Sequence, residues 1–63
     1  MCEFTVILEE SGEKKKIAEN VVKARRKEGI VVLTNASGSL SKVEGATIEV
    51  VDTLMQELVL KKA

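Results

Sequence analysis

Apolar and polar side chains alternate from the start of the chain. Cys2, Phe4, Val6 and Leu8 fall on one side and Glu3, Thr5, Ile7 and Glu9 on the other, the period of a half-buried strand over residues 2–9. Ser11-Gly12 follows as a turn signal. A β-branched apolar run, Ile30-Val31-Val32-Leu33-Thr34, is bounded by Gly29 and by Asn35-Ala36-Ser37-Gly38, and a similar run over 46–51 follows Gly45. Both read as strands. No proline, internal repeat or linker divides the chain, so residues 1–63 read as a single domain.

Two segments carry mixed periodicity. Over 13–28, Ile17, Val21 and Ala24 sit at helical spacing, yet Val22, Ala24 and the stem of Arg26 alternate as a strand does. Over 53–62, Thr53 and Gln56 fit a capping box, Leu54 and Leu58 are four apart, and Lys61-Lys62 would complement a helix C-terminus. Leu58-Val59-Leu60 is equally suited to a short strand. The pattern alone leaves both segments open between helix and strand.

Composition narrows the function classes. A chain of 63 residues buries only about 60% of its unfolded surface, a marginal core. With 44% apolar residues and one cysteine, the missing stability is most simply supplied by self-association, which predicts a homodimer. Ten basic residues cancel ten acidic ones, so no global field draws the chain to nucleic acid or an anionic membrane. No apolar run approaches the ~20 residues of a membrane span, and Glu3, Glu9 and Glu10 interrupt any secretion signal. A lone thiol cannot close an internal disulfide, which fits a reducing cytoplasm.

Cys2 is the candidate for chemistry. It lies beside the amino terminus, and the chain has no histidine. If Met1 is removed, the Cys2 amine and thiolate can close a five-membered chelate on one metal ion. If Met1 remains, the Cys2 amide nitrogen can serve after deprotonation, with the Met1 amine as a further donor. Thiolate plus nitrogen suits nickel or copper. The plainer alternative is a small buried hydrophobe. One thiol without histidine cannot form a tetrahedral zinc site within one chain.

Catalysis finds little support. There is no nucleophile with a partner base, and Ser37-Gly38-Ser39 lacks the strand, helix and lysine of a phosphate loop. A small RNA-binding barrel is the competing function, because Lys14-Lys15-Lys16 and Arg25-Arg26-Lys27 could meet phosphates. Single-strand recognition normally adds stacking aromatics, and Phe4 is the sole aromatic residue. The basic runs therefore read first as solvated edges and turns.

The chain resembles the CooT family of small nickel-binding proteins. The resemblance is carried by Met1-Cys2 opening the first strand, Val6-Ile7-Leu8, Asn20-Val21-Val22-Lys23-Ala24-Arg25, Gly29 at a hairpin turn, Val31-Val32-Leu33-Thr34, Gly45, and Ile48 to Leu60 with Val51-Asp52. It implies an all-β, barrel-like domain of roughly six to seven strands built from antiparallel hairpins, with strands at 2–9, 14–19, 21–28, 30–36, 46–52 and 57–62. It also implies a homodimer holding one nickel ion through Cys2 of both subunits, and a metallochaperone or reservoir role in maturing a nickel enzyme, carbon monoxide dehydrogenase. On this reading the face of Cys2, Phe4, Val6 and Leu8 meets apolar neighbours. Ile7 then offers a second apolar surface.

Overall fold

A computed structural model describes residues 3–62 of the chain. They form six strands: β1 (Phe4–Glu10), β2 (Glu13–Lys27), β3 (Ile30–Asn35), β4 (Leu40–Glu44), β5 (Ala46–Asp52) and β6 (Glu57–Lys62). The strands make one sheet in the order β4-β3-β2-β1-β6-β5. Every neighbouring pair is antiparallel except β1 and β6, which run parallel and join the two ends of the chain. Among the described residues no helix is long and apolar enough to cross a membrane.

The long strand β2 gives the sheet its shape. Residues before Val21 pair with β1, and residues after it pair with β3. Between these stretches the register shifts on both sides, and Asn20 adopts a left-handed backbone with φ 56°. Asparagine tolerates that region better than most side chains. A bulge here bends the strand and increases its twist. The sheet therefore folds over itself, with β5, β6, β1 and the first half of β2 as one layer and the second half of β2, β3 and β4 as the other. The thinnest dimension, 14 Å, suits two layers packed about 10 Å apart.

Gly45 closes the fold. It alone links the two edge strands, β4 and β5, and its N–H donates to the Gly29 carbonyl at 2.9 Å. One linking residue holds the flanking Cα atoms within about 7.6 Å, so the opposite edges of the sheet meet at this corner. The result is a curled half-barrel. Gly29 follows Glu28 in the turn between β2 and β3, with φ 76° and 52°. Positive φ at both central positions is the hairpin turn whose twist matches the strands, and glycine adopts it without strain.

The core lies between the layers. Val6, Leu58, Leu60 and Ala46 come from one side and Val31 and Leu33 from the other, with Val21 at the bend. Phe4, Leu8, Ile17, Ala18 and Val43 pack around them. Phe4, Val6 and Leu8 thus face apolar neighbours as their alternation predicts. The register sets Ile7 against Val59, and Val59 against Val50, on the outer face.

Two features differ from the sequence expectation, and one open segment is settled as expected from the resemblance, with strands at 46–52 and 57–62. The expected strands at 14–19 and 21–28 are one strand, because the chain passes through the Asn20 bulge without breaking. The strand Leu40–Glu44 was not expected: Val43 is its one partly buried residue, so its sequence carries little apolar alternation. Residues 53–56 form a turn and not a helical cap. The Asp52 carboxylate accepts the Met55 N–H at 2.9 Å, and Gln56 takes φ 55° in place of a glycine.

Candidate metal centre and the surfaces around it

The predicted ligands Cys2 and Met1 lie outside the described residues. What the structure describes is the point from which they extend. Glu3 precedes β1, and the Thr5 N–H donates to the Gln56 carbonyl at 2.9 Å, which ties the start of β1 to the turn before β6. Among the described residues no cluster of three His, Cys, Asp or Glu side chains can hold a metal ion.

An apolar groove of about 230 Å³ opens beside this end of β1. Phe4 and Leu58 border it from the first layer, Val21, Val22 and Ala24 from the bend, and Ile48 and Val51 from the edge strand β5. The groove exists because β4 and β5 meet only at Gly45 and do not pair beyond it, so the inward side chains of β5 lack a cover. Val22 is 44% exposed and Val51 59% exposed. In the neighbouring turn, Leu54 is 90% exposed and Met55 63% exposed. Exposed apolar side chains are thus gathered at this end of the sheet. Sequence reasoning missed the groove, because Ile48 and Val51 look like ordinary core residues until the half-barrel is seen to be open.

The basic runs do not form one track. Lys14 and Lys16 lie in the first layer, in register with Glu9 and Ile7, while Arg25 and Lys27 lie in the second, opposite Val32 and Ile30. Arg26 pairs with buried Val31 and so belongs to the inner side of its strand. Strand alternation thus splits each run between two faces. Asn35 organises the loop before β4: its side-chain oxygen accepts the N–H of Ser37 at 3.1 Å and of Ser39 at 3.0 Å.

The described residues form a half-barrel of strands alone, and the single thiol of the sequence neighbours the amino terminus. The chain belongs to the CooT family, described as CO dehydrogenase accessory protein CooT, whose model matches residues 1–61. Among solved structures it is similar to the crystal structure of a protein assigned as CooT from Carboxydothermus hydrogenoformans. The TM-score is 0.86 and the identity 19%, covering 98% of this chain and 98% of that one, a likeness of fold. No curated protein matches the chain. The role of the family is accessory to an enzyme and not itself catalytic.

Proposed function

We propose that this protein binds nickel as cargo and serves as a metallochaperone or nickel reservoir for CO dehydrogenase or its maturation machinery in a reducing cytoplasm. The observation that carries the reading is the family match over residues 1–61, which includes Cys2, the sole thiol in a chain without histidine. Cys2 supplies the thiolate. The nitrogen comes from the Cys2 amine, or from the Cys2 amide with the Met1 amine if Met1 is retained. Two chains each giving one sulfur and one nitrogen would complete a square-planar set around one shared ion.

The groove beside Phe4 supports the dimeric half of the reading. It offers an uncovered apolar surface at the end of β1 to which residues 1–2 are attached. Covering it with a second copy would add the burial that so short a chain lacks.

The test is an anaerobic titration of the reduced protein with nickel, read by electronic absorption. We expect thiolate-to-nickel charge-transfer bands that saturate at one ion per two chains, and none in Cys2→Ser. Binding releases thiol and amine protons, so affinity should fall as pH falls. Saturation at one ion per chain, or an unchanged affinity in Cys2→Ser, would remove the shared thiolate site.

A further inference from the structure

The outer face of the second layer carries an unbalanced row of cations. By register its three cross-strand rows are Lys23–Thr34–Leu40, Arg25–Val32–Lys42 and Lys27–Ile30–Glu44. Four cations thus stand against one carboxylate in a chain of zero net charge. Among the described residues the one salt bridge, Lys16 to Glu19 at 3.3 Å, lies elsewhere. A shallow trough of about 250 Å³ runs along this face, with Lys23, Arg25 and Lys27 on one wall, Val32 and Thr34 in the floor and Leu40 opposite. Leu40 is 64% exposed.

We propose that this trough docks an acidic, extended segment of a partner protein. The three cations of β2 occupy alternate positions on one strand, so they repeat about every 6.7 Å, the spacing of same-side residues in an extended chain. Carboxylates at alternate positions of such a segment would meet them in turn, and an apolar side chain between would cover Leu40 and Val32. The mixed floor argues against a nucleic acid, for which an apolar strip is of little use and stacking aromatics are wanted. Phe4, the sole aromatic residue, packs against the core. Protection of a strand edge does not account for Lys23, Arg25 and Lys27 either, because β2 is an interior strand of the sheet.

The inference goes beyond nickel binding and is independent of it. The test is fluorescence anisotropy of a labelled Glu-Glu-Leu-Glu-Glu-Leu-Glu-Glu peptide with the full chain at low and moderate salt. A lysine version of the peptide and oligothymidylate of similar length serve as comparators. The acidic peptide should bind, more weakly as salt rises. Arg25→Glu and Lys42→Glu, on different strands, should each weaken it about tenfold. Lys14→Glu should change it less than about twofold. Cys2→Ser should bind the peptide as the unaltered chain does, which separates this surface from the metal site. Tighter binding of oligothymidylate through Arg25 would overturn the proposal in favour of nucleic acid. Equal losses in Lys14→Glu and Arg25→Glu would reduce it to non-specific attraction, and no peptide binding would end it.

Discussion

The two outer faces of this half-barrel are built from the same strand pattern and treat charge in opposite ways. On the first layer, Glu9 lies in register between Lys14 on β2 and Lys61 on β6. Lys16 faces Ile7 and pairs with Glu19 at 3.3 Å, and Glu57 and Asp52 sit at the far end of the same face. Counting Lys14, Lys16 and Lys61 against Glu9, Glu19, Glu57 and Asp52, that face has no excess of cations. On the second layer the β2 cations face Thr34, Val32 and Ile30, which answer none of them. Opposite charges placed directly across a strand pair stabilise the sheet. One face has used its charges to hold itself together, and the other has left them available. A net charge of zero conceals this division, which is why composition alone argues so little about partners.

Both faces nonetheless rest on one core, and the largest expected effect tests whether the layers are one folding unit. Leu33 and Leu60 are buried on opposite sides of the interior. Leu33→Ala and Leu60→Ala should each cost about 2–5 kcal/mol. In a chain of this size that removes much of the stability. Thermal unfolding followed by circular dichroism should stay a single transition, with a lower midpoint in both variants. A second transition in only one of them would show that the layers unfold separately and that the comparison concerns two units.

Charge reversal sharpens the contrast at a smaller scale. Glu9→Lys sets a cation directly opposite Lys14 and Lys61, so it should destabilise by about 1 kcal/mol at low salt. Arg25→Glu removes a cation from a row already holding Lys42 and places an acid near Lys23 and Lys27. It should leave stability unchanged or raise it by a few tenths of a kcal/mol. Urea midpoints at two salt concentrations measure both, and the difference should shrink as salt rises. Equal destabilisation by the two reversals would mean that the cations of the second layer do structural work which the register does not show.

How much of this was legible in the sequence follows from how each strand is buried. β1 alternates around Val6, and β3 brings Val31 and Leu33 in a β-branched run, so both read as strands; β6 buries Leu58 and Leu60, but the helical spacing of Leu54 and Leu58 left it open. β2 buries only Val21 along its whole length, which left its charged residues free to mimic helical spacing. Its choice as strand came from the family resemblance and not from its own pattern. β4 contributes a single partly buried Val43 and was missed. The bulge at Asn20 joins what read as two strands, since tertiary pairing holds a left-handed residue inside a continuous strand. The candidate ligand rested on Cys2 and its position. The groove and the cationic trough could not be read in advance, because both depend on which edges of the curled sheet fail to meet.

The smallest effect concerns a place where the first layer's outer face opposes itself. Asp52 and Glu57 are directly paired across β5 and β6, a like-charge contact that a face of cross-strand opposite charges would be expected to avoid. Asp52 is retained on local grounds: its side-chain oxygen accepts the Met55 N–H at 2.9 Å and so shapes the turn that carries Leu54 and Met55. The acceptor, and not the charge, is what the turn requires. Asp52→Asn keeps an oxygen in the same position and removes the repulsion, so it should stabilise by about 0.2–1 kcal/mol at low salt. Asp52→Ala relieves the same repulsion but loses a hydrogen bond worth about 0.5–1.5 kcal/mol, and should come out neutral or less stable. The ordering asparagine, then aspartate, then alanine in thermal midpoint is the expected result. If asparagine were the least stable of the three, the carboxylate charge would be holding the turn and the like-charge pair would not be a cost to this face.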